Sequence, residues 1–396
     1  MTTNLVQPEL FAALKDALRP GTTVALGDGV GAPRCTEEGA SVCATLSAVA
    51  REIGGVRLIV GWLPSPIRGL ESDAFAEIVA IMPGWGARKI LTSPRARFVP
   101  TRLSSVPALM RSVLRPDLLI TRVVEKAGRF HFGTEVSWQR EIVDAGAIVF
   151  AIVDTNAPLA DAGPPLPSEA LAFISHTSEG PVEMLSVVPD AAHDELADAV
   201  LRFIPEGARL QYGPGQLGTA LLNRAQRPLR IDTGLLTDAV VDLDSRGLLI
   251  GMPSATYLFG TQALYRWADG KPILHGIDYS HDLSRLSRGI PLIAVNTALE
   301  IDSFGQINVE GTEEKIVGGI GGHPDYCAAA SMSPEGLSII AVPSKLNGRC
   351  TFVERLSRPT STPAHDIDVI VTESGHADLR GADWDQRRRL IGALLE

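Results

Sequence analysis

Short apolar runs alternate with amphipathic stretches along most of the chain, a pattern typical of alternating strands and helices. Strands are predicted over residues 21–27, 56–60, 89–91, 117–120, 147–152, 207–213, 292–295, 338–342 and 366–373. Helices are predicted over residues 1–20, 41–53, 73–81, 104–114, 137–144, 190–203 and 384–395. Because strands and helices alternate in this way, the sequence predicts an α/β fold with mostly parallel sheets.

The second half of the chain begins as the first half does. Segment 207–215 can be laid on segment 21–29 without a gap, so a strand, a glycine loop and a helix recur at an offset of 186 residues. Any strand–glycine–helix unit has this general form, but the recurrence favours two similar α/β domains in tandem, with a cleft between them. We place the domains at residues 1–190 and 191–396, with Asp190 as the N-cap of the joining helix.

Composition narrows the class of protein. A length of 396 residues favours two domains, and 45% hydrophobic with 21% charged residues is ordinary for a globular protein. The formal net charge of −10 argues against a nucleic-acid surface. Because the sequence has no signal-peptide pattern and no apolar run of ~20 residues, we expect no membrane span. Four cysteines without a CxxC pair indicate a reducing cytoplasm, and no metal-ligand spacing is visible.

Candidate chemistry follows the predicted strand at residues 292–295. Glu300 comes shortly after that strand, and a glycine cluster occupies residues 318–322. In open α/β sheets ligands bind past the carboxyl ends of strands, and glycines allow backbone N–H groups to approach a substrate. These residues therefore predict an acyl or phosphate site. The alternative is a solvated loop acid beside ordinary turns.

An earlier glycine loop has two interpretations. Residues 213–218 satisfy the pattern GxGxxG between a strand and a helix, and Asp232 follows Gly213 by 19 residues. This arrangement is close to the dinucleotide-binding fingerprint, in which an acidic residue contacts a ribose hydroxyl. Pro214 makes the turn less typical of that fingerprint, so an NAD site is the less favoured interpretation.

Four segments are similar to those of a known family: NTALEIDSFGQIN at 296–308, GGIGGHPDY at 318–326, SIIAVPS at 338–344 and DVIVTESGHADLRG at 368–381. They resemble the C-terminal domain of the acetyl-CoA hydrolase/CoA-transferase family, which includes 4-hydroxybutyrate, butyrate and succinyl-CoA:acetate CoA-transferases. The similarity covers about residues 205–385 and is weaker over residues 1–190. It implies two related α/β domains that act on an acyl-CoA, with coenzyme A as a co-substrate and no permanently bound cofactor.

The resemblance also implies roles for individual residues. It implies contacts with coenzyme A at the two glycine loops, through Gly213, Gly215, Gln216, Leu217, Gly321 and Gly322. The backbone N–H groups at the last two positions are candidates for an oxyanion site. Glu300 matches an acid that relatives carry near the CoA pocket.

One position departs from the family in a way that affects the chemistry. The resembled transferases use a glutamate that attacks the thioester and carries the acyl group and then CoA as covalent intermediates. Aligned on Thr237-Asp238 and on residues 241–243, that glutamate falls on Gly234. A glycine has no carboxylate, so the usual two-step transfer cannot run through this position.

Two further departures concern histidines. His281 stands where relatives carry an asparagine that donates to the thioester oxygen, and His323 ends the second glycine loop. Histidine suits proton transfer because its ordinary pKa lies near neutrality. Three explanations therefore compete. Asp232, on the same face of its strand as Gly234, replaces the glutamate; or His281, His323, Asp232 and Glu300 activate water or abstract a proton; or the chain is inactive without a partner subunit.

We favour an acyl-CoA-processing enzyme with hydrolytic or water-adding chemistry. The alternatives are a true CoA-transferase that passes CoA to a small carboxylate through a displaced carboxylate, and a CoA-binding subunit without catalysis. We expect no metal and no nucleic-acid partner. We also expect a cytoplasmic protein that forms a homo-oligomer, as a dimer, with a partner subunit as a further option.

Overall fold

The computed structural model describes residues 7–37, 39–346 and 348–395. The strands are β1 Thr23–Leu26, β2 Arg57–Val60, β3 Glu77–Ala80, β4 Ala96–Phe98, β5 Leu118–Lys126, β6 Arg129–His131, β7 Ile148–Asp154, β8 Leu171–Thr177, β9 Arg209–Tyr212, β10 Arg230–Ile231, β11 Leu235–Leu236, β12 Tyr257–Leu258, β13 Leu292–Asn296, β14 Glu300–Ile301, β15 Ile307–Asn308, β16 Leu337–Ala341, β17 Lys345–Leu346, β18 Arg349–Cys350, β19 Val369–Thr372 and β20 Gly375–Asp378. The helices are α1 Pro8–Ala17, α2 Val42–Ile53, α3 Val106–Leu109, α4 Gln139–Asp144, α5 Ala191–Leu201, α6 Gln216–Arg224, α7 Asp238–Ser245, α8 Gln262–Ala268, α9 Ile277–Ser280, α10 Leu283–Leu286, α11 His323–Met332 and α12 Trp384–Gly392.

Two large sheets organise the molecule. The first has the strand order β4-β3-β2-β1-β5-β7-β8, and all neighbours along this path are parallel. The short strand β6 folds back antiparallel onto β5. The second sheet has the order β10-β9-β13-β16-β19-β20, and only its edge strand β20 pairs antiparallel. The predicted α/β fold with mostly parallel sheets is confirmed.

The predicted recurrence is present in the first strand of each sheet. Strand β1 starts at Thr23 and strand β9 starts at Arg209, which are 186 positions apart. Each of these strands lies between two parallel neighbours, β2 and β5 for β1 and β10 and β13 for β9. The helix follows β9 almost at once, whereas a longer loop separates β1 from α2. The domain limits at residue 190 stay a prediction, because buried apolar residues of both sheets form one continuous core cluster.

Two predicted elements are wrong. The predicted helix at 73–81 is a short 3₁₀ turn at Ser72–Ala74 followed by strand β3, because the apolar residues of that strand pair with β2 and are buried there. The predicted strand at 89–91 is a 3₁₀ turn at Ile90–Thr92. The predicted helix at 104–114 is confirmed as a helical segment that consists of a 3₁₀ turn at Leu103–Ser105, α3 and a π-helical turn to Leu114, where the left-handed Arg115 ends it.

Other expectations can be compared with the described part of the chain. The helix predicted at residues 1–20 corresponds to α1. Residues 1–6 of that prediction lie outside the described residues. The four cysteines are free thiols. Among the described helices, none is long and apolar enough to cross a membrane. Within the described ranges, no group of three or more His, Cys, Asp and Glu side chains is arranged to hold a metal ion.

Candidate functional site

A cavity of about 310 Å³ lies where the two sheets meet. On the second sheet its wall comes from Gln211 and Tyr212 at the end of β9 and from Asn296 at the end of β13. On the first sheet its wall comes from Trp62, which follows β2, and from Met82, which follows β3. The cavity is therefore built at the carboxyl ends of parallel strands, where ligands of open α/β sheets bind.

The glycine cluster at 318–322 forms one side of this cavity and packs closely against the first half of the chain. A Cβ on Gly319 would lie 3.0 Å from the side chains of Met82 and Pro83. A Cβ on Gly84 would lie 2.4 Å from the carbonyl oxygen of Val317. Gly319 and Gly84 are therefore required for close packing between two loops, in addition to any backbone contact with a substrate.

A buried carboxylate holds the same loops together. Asp325, in the first turn of α11, is fully buried and accepts hydrogen bonds from the backbone N–H of Ser104 at 3.0 Å and from its hydroxyl at 2.6 Å. The backbone N–H of Leu103 donates to the carbonyl of Gly321 at 3.0 Å. Burial raises the pKa of Asp325 to about 6. These contacts fix the N-terminus of α11 against the first half of the chain.

His281 lies between this glycine loop and Gly234 and lines the cavity. Its side chain is buried, with 1% exposure, and its ring packs against Tyr326 at 4.9 Å between ring centres. The Nδ1 atom lies 2.9 Å from the hydroxyl of Ser280, whereas the buried Nε2 atom has no hydrogen-bond partner within the described part of the chain. Burial, together with the positive charge of Arg285, lowers the pKa of His281 to about 3. The ring is therefore neutral at physiological pH.

Hydrogen bonding assigns the tautomer of this neutral ring. The Ser280 hydroxyl donates its one proton to the carbonyl of Gly276 at 3.0 Å, so its oxygen is left to accept from Nδ1–H of His281. The other nitrogen, Nε2, then carries a lone pair and no proton. A buried lone pair without a partner at a cavity wall is positioned to accept a proton from a bound molecule.

Two glycines make room for this imidazole. A Cβ on Gly234 would lie 3.2 Å from Nε2 of His281, and a Cβ on Gly322 would lie only 2.4 Å from the same atom. The ring therefore occupies space that side chains at either position would need. Gly234, the position aligned with the family glutamate, lies directly beside the base candidate that stands at the family asparagine position. The replacement of a glutamate at Gly234 stays a prediction.

His323 has a different environment from His281. Its Nε2 donates to the carbonyl of Thr297 at 3.0 Å, and its Nδ1 lies 2.7 Å from the hydroxyl of Thr362. Burial lowers its pKa to about 4, so this ring is also neutral at physiological pH. His323 lines the cavity, but both of its nitrogens are already bonded to protein groups. Its geometry suits the positioning of the Gly322–His323 turn better than proton transfer.

Asp232 lies outside the cavity lining and forms a buried ion pair. Its two carboxylate oxygens accept from the guanidinium of Arg285 at 2.8 and 2.9 Å, and Arg209 lies 3.5 Å away. Its side chain is 5% exposed. An attack on a thioester by Asp232 would require this bidentate pair to open, which leaves charged groups buried and unpaired.

Glu300 is the fourth predicted catalytic residue, and its carboxylate accepts three hydrogen bonds from two residues of the protein. The side-chain amide of Asn308 and the backbone N–H and hydroxyl of Ser357 each donate to it at 2.8 Å. Glu300 is half-buried and lies outside the cavity lining. These hydrogen bonds connect Glu300 in β14 with Asn308 in β15 and with Ser357. Among the predicted catalytic residues, the cavity thus brings together His281 and His323 and leaves Asp232 and Glu300 outside.

The predicted CoA-binding residues divide in a similar way. Gly213, Gly321 and Gly322 line the cavity. Gly215, with φ of 116°, is the N-cap of α6 and lies beyond the lining, as do Gln216 and Leu217. The side-chain oxygen of Gln216 accepts from the backbone N–H of Asp190 at 3.0 Å. The contacts of coenzyme A with this loop stay a prediction.

An amide pair adds a polar patch that the sequence did not indicate. Gln211 and Asn296 exchange hydrogen bonds, one from Nε2 to Oδ1 at 3.2 Å and one from Nδ2 to Oε1 at 2.9 Å. They face each other because β9 and β13 pair with Ala294 beside Gln211. Their adjacency depends on strand register, which a single sequence does not give.

Another part of the lining is aromatic and draws on both halves of the chain, and no sequence pattern indicated it. Trp62 contacts Tyr257 and Phe259 with ring centres 5.5 and 5.7 Å apart. Trp85 completes the group, 5.9 Å from Phe259 and 6.4 Å from Trp62. These residues come from segments far apart in sequence, and only the packing of the two sheets brings them together.

The chain is similar to several known proteins. Residues 260–393 match the model of the acetyl-CoA hydrolase/transferase C-terminal domain. The chain is 25% identical over 331 residues to the 4-hydroxybutyrate coenzyme A transferase of Clostridium kluyveri, a match that covers 79% of this chain and 77% of that one. It is 28% identical over 250 residues to the acetyl-CoA hydrolase of Kluyveromyces lactis, over 57% of this chain and 47% of that one.

A solved structure shares the fold. The crystal structure of RipA from Yersinia pestis superposes with a TM-score of 0.86 at 21% identity, over 96% of this chain and 92% of that one. This likeness shows a shared fold. The family model and the curated relatives confirm the predicted resemblance to the acetyl-CoA hydrolase/CoA-transferase family.

Proposed function

We propose that this member of the acetyl-CoA hydrolase/CoA-transferase family hydrolyses an acyl-CoA thioester, with His281 as the general base. Action on an acyl-CoA rests on its relatives, which are CoA-transferases and acetyl-CoA hydrolases. The choice of hydrolysis rests on one observation. His281 lines the cavity beside Gly234, and its buried Nε2 atom carries a lone pair and has no partner among the described residues.

The reaction would proceed in two steps. Nε2 of His281 removes a proton from a water molecule as that water attacks the thioester carbonyl carbon, and the carbonyl oxygen becomes an oxyanion. The positive N-terminal end of α11, which begins at the glycine turn, favours negative charge there. The intermediate then collapses with cleavage of the carbon–sulfur bond. The imidazolium returns its proton to the departing sulfur, so the products are a carboxylic acid and free coenzyme A.

The pKa of His281 has opposite effects on the two steps: the ring is a weak base toward water in the first step and a strong acid toward the departing sulfur in the second. The low pKa means that the base form is fully populated at neutral pH. Once protonated, the buried imidazolium is a strong acid and gives its proton readily to the thiolate. Ser280 stabilises the charged ring, because its oxygen accepts from Nδ1–H. The role of Ser280 is to orient the ring and fix its tautomer.

Transfer of CoA to a carboxylate has less support in this site. Within the described residues, the cavity lining includes no aspartate or glutamate, and Asp232 and Glu300 are held by protein donors elsewhere. A carboxylate acceptor would also enter a cavity whose described lining has no lysine or arginine. Burying an unpaired anion is costly, whereas water enters without that penalty.

A test uses acyl-CoA substrates in water enriched in ¹⁸O, with and without an added mixture of small carboxylates. The expected result is release of free coenzyme A and one ¹⁸O atom in the acid product, at a rate that does not depend on the carboxylates. New acyl-CoA species, or coenzyme A attached covalently to the protein, would instead identify a transferase. Binding of coenzyme A without turnover of any acyl-CoA would identify a binding subunit.

Two histidine variants provide a matched comparison. His281→Ala should lower kcat by about 10²- to 10⁴-fold, the usual contribution of a general base. His323→Ala should lower kcat by less than about tenfold and lower Tm instead, because it removes two hydrogen bonds to protein groups. The reverse ranking of the two kcat values would contradict the role of His281. A homodimer, or a complex with a second subunit, would be compatible with this mechanism.

A further inference from the structure

The cavity has two chemically different walls. His281, Gln211 and Asn296 form the polar wall, which belongs to the second half of the chain. The same cavity is also lined by a group that we call the aromatic wall, made of Trp62, Trp85 and Phe259. A thioester has the same division, since its reacting carbonyl is polar and its acyl substituent extends away from it. A carbonyl bound at His281 would leave the aromatic wall as the apolar surface for its acyl group.

The aromatic wall is rigidly supported. The ring of Trp62 meets that of Tyr257 at an interplanar angle of 81°, and the Tyr257 hydroxyl donates to the buried carboxylate of Asp28 at 2.8 Å. The hydroxyl of Ser137 donates to the same carboxylate oxygen at 2.7 Å. Rings held in this way offer a preformed apolar surface and lose little freedom when a ligand binds.

Trp85 adds a second observation. Its side chain is 47% exposed although it lines the cavity, and its backbone has φ of 46°, in the left-handed region. A bulky residue in that region is strained. The chain thus holds a large aromatic ring at the cavity margin in a costly conformation, where a glycine would relieve the strain. Such strain is typical of residues that contact a ligand.

We propose that the acyl group of the substrate is a bulky, uncharged ring, alicyclic or aromatic, held by Trp62, Trp85 and Phe259. This inference rests on the proposed function for the identity of the thioester, and it goes beyond that function in naming the acyl class. The described lining has no charged side chain to pair with the second carboxylate of a dicarboxylic acyl group. The volume of about 310 Å³ is at the small end of ligand cavities, which suits a ring rather than a long chain.

Binding of thioether analogues tests this without requiring turnover. S-ethyl-CoA, S-(cyclohexylmethyl)-CoA and S-(2-carboxyethyl)-CoA contain no thioester and cannot be hydrolysed. Calorimetry on the wild-type protein should show that the cyclohexylmethyl compound binds at least about tenfold more tightly than the ethyl compound, because the ring buries apolar area. The carboxyethyl compound should bind no more tightly than the ethyl compound.

Variants connect the preference with the aromatic wall. Phe259→Ala should reduce the ratio of the two affinities at least about fivefold, and Phe304→Ala, which changes a phenylalanine outside the cavity, should leave the ratio unchanged. Trp85→Gly should reduce the ratio without a loss of Tm, because glycine relieves the positive φ. Trp384→Ala is its control, since Trp384 is an exposed tryptophan outside the cavity lining.

Several outcomes would overturn the inference. Equal affinity for the cyclohexylmethyl and ethyl compounds would do so, and so would tightest binding of the carboxyethyl compound. Quenching of tryptophan fluorescence by free coenzyme A to the same extent as by the cyclohexylmethyl compound would show that the aromatic wall holds the pantetheine arm instead. Failure of acyl-CoA hydrolysis would leave these affinities unaffected, so it would count against the proposed function alone.

Discussion

Gly234 and His281 share one space: a Cβ on the glycine would lie 3.2 Å from the imidazole Nε2. This distance is tighter than ordinary van der Waals contact, so a side chain at 234 and an imidazole at 281 disfavour each other. The predicted replacements at Gly234 and His281 are thus physically coupled. The predicted loss of a carboxylate and the predicted gain of a histidine would form one change in the site.

The first prediction concerns restoration of the family pattern. Gly234→Glu alone should remain crowded by His281 and form no covalent intermediate. The double variant Gly234→Glu/His281→Asn removes the imidazole and should accumulate coenzyme A bound to Glu at position 234 when incubated with an acyl-CoA. Intact-protein mass spectrometry measures the adduct. The control is Gly392→Ala, because a Cβ there meets nothing within 4 Å. Adduct formation by wild type would refute the premise.

The second prediction separates structural from catalytic use of Asp232. Asp232→Ala leaves Arg285 half-buried without its bidentate partner, and should lower the free energy of unfolding by ~3 kcal/mol. Urea denaturation measures it. Asp378→Ala breaks the exposed pair with Arg380 and should cost less than about 1 kcal/mol. If Asp232→Ala matched the stability of wild type and yet abolished turnover, the carboxylate would have a chemical role.

A third prediction follows from the pKa of His281, which is lowered to about 3. Because the base form is the active one, kcat should stay level as pH falls from 8 to 5. A histidine with an ordinary pKa of about 6.5 would lose about 30-fold in base form at pH 5. The measurement is kcat against pH with a saturating acyl-CoA, and circular dichroism at each pH verifies that the protein is folded. A fall of kcat centred near pH 6.5 would exclude His281 in its present environment as the base.

The fourth prediction concerns Asp325, whose pKa is raised to about 6, above the 3.8 of an ordinary aspartate. Between about pH 4 and 6 the folded protein therefore holds a proton that the unfolded chain has lost. Protonation of Asp325 therefore stabilises the folded protein as pH falls, and this contribution to the free energy of unfolding is lost as pH rises through 6. Wild type should gain about 1 kcal/mol relative to Asp325→Asn between pH 7 and 5.

Urea denaturation of both proteins at several pH values measures this difference. Groups that titrate identically in the two proteins cancel when the curves are subtracted. Parallel curves would mean that Asp325 has an ordinary pKa in the folded state, and that its hydrogen bonds to Ser104 outweigh the cost of burial.

Local sequence patterns were informative where the structure depends on local residues. The apolar runs of β1 and β9 are predicted with the right spacing, and two of the predicted site residues, His281 and Gly322, line the same cavity. The pattern failed at β3, where Asp73–Ile81 has helical periodicity and the decision came from pairing with β2. Intrinsic preference is overridden there by burial in a sheet.

The partners of the candidate residues were not predictable from a single sequence. Arg285 lies 53 positions from the aspartate that it binds, and Trp62 lies almost 200 positions from Phe259. Their contacts exist only after the two sheets have docked. The sequence alone therefore suggests Asp232 as a free carboxylate, although in the folded protein it forms a bidentate ion pair with Arg285.

The close approach of Gly84 to the carbonyl of Val317 has a consequence for how this molecule can evolve and be engineered. Because the cavity is assembled from loops of both halves, neither half contains the complete cavity. Grafting the second half onto the first half of a relative would preserve His281 and Phe259 and replace Trp62 and Trp85. Substrate preference should then change with the donor of the first half only where the donor also accommodates the partner loop. Substitutions in the loop that contains Gly84 are therefore expected to be accompanied by substitutions in the loop that contains Val317.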